Sequence, residues 1–245
     1  TDCLSIPGFI ISSYGLREGI VLDTYSRLQK KSRKKDTRIQ TEDIRRKSVA
    51  HFGKRLSYDE RQAKRVTSLA LNLYDSLKKY DFFAGETRKN LFLSNREVLY
   101  AASMLHEVGK FISFSQYHKH AYYLISNTRL MGFSQKERQI IGLIARFQRR
   151  GFATVKKSGC QDLDTGELST INYLASLVRL ASAAYRSRTS LIKGLETRNL
   201  HETLHLKVIT KDSKELPEVD RYQLSLNKAG LEKAIGKTVE ISVKA

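Results

Sequence analysis

Three Ser-x-x-Glu segments, each followed by apolar residues at helical spacing, constrain the fold of this 245-residue chain more than any other feature. They begin at Ser57, Ser94 and Ser134. In such a capping box, the serine side chain accepts a hydrogen bond from a free backbone N–H, and the glutamate accepts one from the serine's own N–H. We therefore predict three amphipathic helices that start at these serines. Their predicted buried faces are Val66, Leu69, Leu73 and Leu77; Val98, Ala101, Leu105 and Val108; and Ile140, Ile141, Ile144 and Phe147.

Two further helices are predicted, over residues 41–54 and from Ser169 to Ser190. The second would follow DTGELST (164–170), which superficially fits a phosphate-binding loop. No apolar strand leads into that segment, so we assign Ser169 as a helix cap instead. Only two prolines occur in the chain, which favours long helices. The apolar face of the second helix would consist of Leu174, Leu177, Val178 and Ala181.

The C-terminal part of the chain has a different pattern. Residues 204–210, 221–227 and 238–244 alternate apolar and polar side chains, which is the period of a half-buried strand. Between the last two segments, Asn227 is predicted to cap a short helix and Gly236 to end it. We therefore expect a β-β-α-β unit at this end of the chain.

Together, these elements predict a mainly α fold in which a helical domain precedes a small α+β domain. The boundaries fall at residues 26–195 for the helical domain and 196–245 for the β-β-α-β domain. Near the N-terminus, residues 6–11 are predicted to form one strand and residues 15–28 a helix. A lone strand is not stable in water, so this strand must pair with something else.

The formal charge of +19 favours a polyanionic partner, such as nucleic acid, polyphosphate, a nucleotide or an anionic membrane. No apolar run approaches the length of a bilayer span, and no basic segment precedes the short apolar N-terminal stretch, so neither a membrane span nor a signal peptide is expected. The two cysteines, Cys3 and Cys160, form no motif typical of a disulfide framework or a zinc site. We therefore predict a cytoplasmic protein.

A histidine-rich stretch raises the question of a metal site. LHEVGK (105–110) lies shortly before YHKH (117–120), and hydrolytic metal sites combine imidazole with carboxylate ligands. The pattern resembles the metal-dependent HD phosphohydrolases, although Gln62 and Ser182 stand where two of their ligands are expected. The other interpretation is that the histidine and glutamate form hydrogen bonds between buried helices. The alternative metal ligands are His106, Glu107, His118 and His120.

The order of motifs as a whole resembles the C-terminal half of the exopolyphosphatase/guanosine pentaphosphate phosphatase family. The motifs are YGLREGIV, ERQAKRVTSLALNLYDSL, LHEVGKFI, YHKHAYYLISNTRLMGFS, ERQIIGLIARFQRRG and LVRLASAAYRSR. The resemblance implies an HD-like helical domain, preceded by an actin-like catalytic half that holds the phosphate-binding loops, a catalytic glutamate and magnesium. Residues 1–25 would then be the last strand and the linker helix of that half. The resemblance also implies a homodimer, no cofactor within this chain, and no activity of this chain alone.

Basic residues are concentrated in three clusters, of which residues 27–38 are expected to be an exposed surface segment. The other two flank the predicted helical core and are the predicted polyphosphate-binding residues, because a guanidinium group can bind two phosphate oxygens at once. Arg179, Arg186 and Lys193 are spaced by seven, which predicts a stripe along one helix. A solvated helix face is the alternative for any single residue. The second cluster is Arg146, Arg149, Arg150, Lys156 and Lys157, and the third is Arg179, Arg186, Arg188 and Lys193.

Three functions are therefore compatible with the sequence. The favoured hypothesis is a substrate-binding, regulatory and dimerisation region of an enzyme that hydrolyses polyphosphate or guanosine pentaphosphate. The first alternative is a self-sufficient, metal-dependent HD-type phosphohydrolase. The second is a basic nucleic-acid-binding module, although no recognised nucleic-acid-binding motif is present and aromatic residues are not interleaved through the basic clusters.

Overall fold

The computed structural model describes residues 37–80, 82, 94–211 and 215–244. The predicted strand at 6–11, the predicted helix at 15–28, and nearly all of the first basic cluster lie outside these residues.

Six helices and a short 3-10 turn precede the first strand of the described chain, and a seventh helix lies between the second and third strands. The helices are α1 (Thr37–Arg55), α2 (Glu60–Lys78), α3 (Asn95–Leu105), α4 (Tyr117–Asn127), α5 (Gln135–Phe147), α6 (Thr165–Ala183) and α7 (Glu218–Ile235). The 3-10 turn (Val108–Phe111) connects α3 to α4. The strands are β1 (Ile192–Leu200), β2 (Thr203–Thr210) and β3 (Thr238–Lys244). The predicted fold class, mainly α with a small α+β part, is confirmed.

Two of the three predicted capping boxes are present in full. Ser94 caps α3 and Ser134 caps α5, and in each case the serine and the glutamate make both reciprocal hydrogen bonds. The predicted cap at Ser57 is wrong. Asp59 is the cap of α2, because its carboxylate accepts a 2.9 Å hydrogen bond from the Gln62 N–H, and Ser57 lies in a turn with φ of 48°.

The late helix, α6, begins earlier and ends earlier than predicted. Asp164 caps it in a capping box with Glu167, so Ser169 is an interior residue and not the cap. The segment that superficially fits a phosphate-binding loop is therefore the first turn of a helix. The helix ends at Ala183 instead of continuing to Ser190.

The predicted apolar faces form one shared core. All the residues predicted to be buried are buried and belong to one contiguous cluster, although Val108 lies on the 3-10 turn and not on α3, which ends at Leu105. Helix α1, predicted over 41–54, adds Val49 and Phe52 to the same cluster. The core is therefore built between helices, with α3 and α5 buried along much of their length.

The C-terminal unit has the predicted β-β-α-β order, but two of its elements were assigned wrongly. β1 pairs antiparallel with β2, and β2 pairs in parallel with β3, with α7 as the crossover. Residues 221–227 lie inside α7 and are not a strand, and the first strand is Ile192–Leu200. Asn227 is also interior to α7, where its amide donates to the Gln223 carbonyl over 2.7 Å. The predicted end at Gly236 is confirmed, with φ of 70°.

Side chains of α2, together with that of Tyr80 just after it, bind the outer edge of β1 and so fix the sheet to the helices. The Asn72 carbonyl oxygen accepts a 2.6 Å hydrogen bond from the Leu195 N–H, and the Ser76 hydroxyl accepts one of 2.8 Å from the Thr197 N–H. The Tyr80 hydroxyl donates to the Thr197 carbonyl over 2.7 Å. These bonds satisfy edge groups that would otherwise be free to pair with another strand.

Helix α7 is in turn packed on α6. The buried Asp220 carboxylate accepts a 2.7 Å hydrogen bond from the Ser187 N–H and one of 2.5 Å from its hydroxyl. This contact positions α7 beside the turn that follows α6. In the described part of the chain, no helix is long and apolar enough to cross a membrane.

Candidate phosphate-binding site

A cleft of about 280 Å³ opens where the ends of α5 and α6 meet α7, the 3-10 turn and the start of α4. Its charged lining is strongly biased, with five cationic side chains and one carboxylate, that of Glu107. We call it the basic cleft. Its cationic residues are Lys110, Arg149, Arg150, Arg179 and Arg186.

Three of the arginines are exposed and have no acidic partner. Arg149, Arg150 and Arg186 form no ion pair with any residue of the described ranges. Arg149 and Arg150 directly follow the last turn of α5, and Arg186 follows the end of α6. Because both helices end at this cleft, side chains that are far apart in the chain point their charge into the same space. An anion in the cleft would therefore meet unpaired guanidinium groups.

Tyr117 lies between two of the cations. The Lys110 Nζ is 5.3 Å from the centre of its ring, and the Arg149 Cζ is 5.1 Å from it. Burial raises the pKa of its hydroxyl, which lies 3.5 Å from the Gln148 amide nitrogen. The aromatic face thus supports Arg149 by a cation–π contact, which leaves the edge of the guanidinium free for a ligand.

Lys110 and Glu107 form the only ion pair within the described lining of the cleft, at 2.5 Å. The carboxylate of Glu107 is therefore paired with Lys110 and offsets part of the positive charge of that lysine. Apart from Glu107 and the five cations, the described lining residues are neutral, among them Phe114 and Leu226, which are 71% and 59% exposed.

Arg179 lines the cleft but already has three partners. Its Nε donates to the Gln148 carbonyl over 2.9 Å, and its second amino group donates to the carbonyls of Phe147 (2.6 Å) and Gly151 (3.0 Å). Burial lowers the pKa of this guanidinium. Since the last carbonyls of a helix have no intrahelical partner, Arg179 satisfies the C-terminal end of α5 and holds the segment that carries Arg149 and Arg150.

The remaining predicted phosphate-binding residues lie outside the cleft. Arg146 donates to the Ser158 carbonyl over 2.8 Å, and Arg188 donates to Asp59 (3.2 Å) and Gln62 (2.8 Å). The predicted stripe of Arg179, Arg186 and Lys193 along one helix is wrong, because α6 ends at Ala183 and the last of the three lies on β1. The remaining three are exposed elsewhere: Lys156, Lys157 and Lys193.

The four alternative metal ligands do not form a cluster. Within residues 37–80, 82, 94–211 and 215–244, no group of three or more His, Cys, Asp or Glu side chains could hold an ion. His106 is buried, with its Nδ1 2.7 Å from the Ser103 carbonyl, and burial lowers its pKa. Burial, with Arg149 the next cause, lowers the pKa of His118 to about 4. His120 and Glu107 complete no ligand set with them.

Several residues of the cleft were not predicted from the sequence. Lys110, Phe114 and Tyr117 lie within or next to the histidine-rich stretch. The aromatic residues close to a lysine were the sequence signal from which this part of the cleft could have been predicted. Gln223 and Asn227 come from α7, which was mistaken in part for a strand. No local signal connected that segment to the arginines.

Residues 44–232 match the family model described as Ppx/GppA phosphatase, domain III. The match covers most of the chain, and we conclude that the chain belongs to the Ppx/GppA phosphatase family. The resemblance seen in the sequence motifs is thereby confirmed.

Two curated relatives carry the same name, guanosine-5'-triphosphate,3'-diphosphate pyrophosphatase. The protein from Pseudoalteromonas translucida (strain TAC 125) is 31% identical over 180 residues, which cover 74% of this chain and 32% of the relative. The protein from Pseudoalteromonas atlantica (strain T6c / ATCC BAA-1087) is 27% identical over 183 residues, which cover 75% of this chain and 32% of the relative. The chain therefore spans about a third of the length of these relatives.

Proposed function

We propose that this chain is the substrate-binding and regulatory region of a guanosine pentaphosphate or polyphosphate hydrolase, and that the basic cleft holds the phosphate chain. One observation carries the proposal, namely that Arg149, Arg150 and Arg186 converge on the cleft without acidic partners in the described chain. Unpaired guanidinium groups bind phosphate through charge-assisted, paired hydrogen bonds. Neutralising a chain of phosphates also releases counterions, which adds to the affinity at low salt.

Of the two anions, we favour guanosine pentaphosphate. The two relatives above are named for a guanosine nucleotide that carries phosphates at two positions. The cleft also offers the exposed ring of Phe114 beside its cations, and an aromatic side chain stacks on a nucleobase. Polyphosphate has no base and would use the cations alone.

The remaining parts of the proposal are expectations drawn from the resemblance to the family. Hydrolysis would take place in a catalytic half outside this chain, with magnesium bound there and no cofactor in this region. The complete protein would be a homodimer in the cytoplasm. This chain alone would bind the nucleotide and would not cleave it.

Binding can be tested by isothermal titration of the 245-residue chain with guanosine pentaphosphate, at low salt and again at high salt. We expect saturable binding that weakens as salt increases, because the contacts are ionic. Absence of binding at low salt would contradict the proposal.

The two alternative functions give different results in parallel assays. A nucleic-acid-binding module would bind single-stranded RNA more tightly than guanosine pentaphosphate and would release the nucleotide when RNA is added. A self-sufficient phosphohydrolase would release phosphate from guanosine pentaphosphate in the presence of divalent ions. We expect neither result from this chain.

A further inference from the structure

A second pocket lies between α1 and the segment that follows α4. Its volume is about 400 Å³, within the range of small-molecule sites. None of its residues lines the basic cleft. We call it the α1 pocket.

The two walls of the α1 pocket are fixed to each other by hydrogen bonds. The Ser48 hydroxyl accepts a 2.8 Å hydrogen bond from the Met131 N–H. Arg45 donates to the Gly132 carbonyl over 2.9 Å and pairs with Glu97 at 3.0 Å. The segment after α4 is therefore held against α1, and the pocket is formed before any ligand arrives.

The floor of the pocket is apolar and its rim is basic. Phe52 and Leu130 are buried at the floor, and Met131 is 38% exposed. The charged or titratable lining residues are all basic, and no described carboxylate lines the pocket. Lys47 pairs with Asp43 at 2.7 Å, whereas Arg55 and Arg129 are exposed and have no ion pair among the described residues.

We propose that the α1 pocket binds a small amphiphilic anion, that is, a molecule with an apolar chain or ring and one carboxylate, sulfonate or phosphate group. The apolar part lies against Phe52, Leu130 and Met131, where its burial is favourable. The anionic group lies near Arg55 and Arg129, which complement its charge. Guanosine pentaphosphate carries five phosphates and a base with polar edges, so it matches an apolar floor with two exposed arginines less well than a singly charged amphiphile does. The pocket is therefore a separate site, and its ligand would act on this region independently of the basic cleft.

The two methionines of the chain provide a direct test. Met131 lines the pocket, whereas Met104 is 3% exposed on α3 and does not line it. In a chain with ¹³C-labelled methionine methyl groups, NMR should show a saturable shift of the Met131 signal on titration with decanoate below its micelle concentration. The Met104 signal should not move. A fixed Met131 signal, or equal shifts of both methionines, would overturn the proposal.

The charge requirement is tested with ligands that share one apolar chain. Decanoate should bind at least about tenfold more tightly than decyltrimethylammonium, since the rim repels a cation. Inorganic phosphate, which has no apolar part, should leave the Met131 signal unchanged. Equal affinity for both decyl compounds, or binding only to vesicles that contain anionic lipid, would contradict a soluble-ligand site.

A matched pair of variants completes the test. Arg55→Gln with Arg129→Gln should weaken decanoate binding roughly five- to tenfold, since each exposed cation contributes a modest attraction. Arg61→Gln with Arg198→Gln removes two exposed arginines that line neither the α1 pocket nor the basic cleft, and should leave the affinity unchanged. Thermal unfolding should show that both variants fold. Equal affinities of the two folded variants would refute the assignment of the anionic group to this rim.

Discussion

Replacing Arg179 tests whether this residue organises the basic cleft or contacts the ligand. In the Arg179→Met variant, the carbonyls of Phe147, Gln148 and Gly151 lose their three donors. The methionine keeps part of the packing volume on α6 but cannot donate a hydrogen bond. The variant therefore removes the bonds with little change in side-chain bulk.

The magnitude follows from these three bonds. A hydrogen bond to a charged group contributes about 1.5–3 kcal/mol, and an unsatisfied buried carbonyl costs about 1–3 kcal/mol. Two effects reduce the sum: the guanidinium is no longer desolvated by burial, and the exposed segment at Gly151 can bond to water. We expect the free energy of unfolding to fall by about 2–4 kcal/mol, which corresponds to roughly 5–15 °C in Tm for a chain of this size.

The assay is thermal and urea unfolding of the wild type, Arg179→Met and Arg149→Met. Arg149 is exposed and has no ion pair in the described chain, so its replacement should change Tm by about 1 °C or less. Nucleotide affinity should fall in both variants, because Arg179 holds the segment that carries Arg149. A Tm for Arg179→Met within about 1 °C of the wild type would refute the structural role.

Three further predictions concern the caps, the 3-10 turn and His118. Asp59→Ala should lower the free energy of unfolding by about 1 kcal/mol, because the aspartate is the cap of α2. Ser57→Ala should leave it unchanged. Urea unfolding measures both, and equal losses would contradict this assignment. Gly109→Ala should reduce Tm more than Gly151→Ala does. A Cβ at Gly109 would clash with the Tyr117 carbonyl and the Ala121 nitrogen, whereas at Gly151 the space is open and only the φ of 77° disfavours alanine. A milder effect at Gly109 would be inconsistent with so close an approach of the α4 backbone. NMR titration should find His118 neutral down to about pH 4. Since the pKa is lowered in the folded state, the unfolded chain binds the proton first, so the stabilising contribution present above about pH 6.5 is lost as the pH falls towards 4. Titration of His118 near pH 6.5 in the folded chain would be the contrary result.

Local chemistry was sufficient to predict much of the helical domain. The capping boxes at Ser94 and Ser134 need only four consecutive residues, so they were predicted from the sequence and are present. At the start of α2, two candidate caps stand two residues apart, and the sequence does not decide which one adopts the extended backbone. Asp59 does, while Ser57 lies in the preceding turn.

Helix α7 shows why the sheet was harder to predict. Tyr222, Leu224 and Leu226 alternate with polar residues, which is the pattern of a strand. In the structure only Leu224 of the three is buried, together with Leu231 one heptad later, and the other two are exposed at 61% and 59%. Whether these residues form a strand or a helix depends on packing against α6, which is distant in the sequence and therefore not visible in the local pattern.

The basic cleft was predictable only in its components. The sequence identified Arg149, Arg150 and Arg186 as phosphate-binding candidates, but it also grouped them with Lys156 and Lys157, which lie elsewhere. Which cations converge depends on where α5 and α6 end and how they cross. That information is tertiary, as is the addition of Lys110 from the 3-10 turn.

The central claim is that phosphate binding depends on the position of cations and not on net charge alone. Two triple variants separate the effect of position from the effect of net charge, since each removes three positive charges at residues that were predicted to bind phosphate. Arg149→Gln, Arg150→Gln and Arg186→Gln empty the cleft of its unpaired charges, whereas Lys156→Gln, Lys157→Gln and Lys193→Gln remove exposed charges outside it.

The decisive measurement is the Kd of each variant for guanosine pentaphosphate by isothermal titration at one fixed salt concentration. At about 1 kcal/mol for each exposed guanidinium–phosphate contact, the cleft variant should bind roughly 100-fold more weakly than the wild type. The matched lysine variant should lose about threefold or less, through the long-range field alone. Equal losses in the two variants would contradict the account.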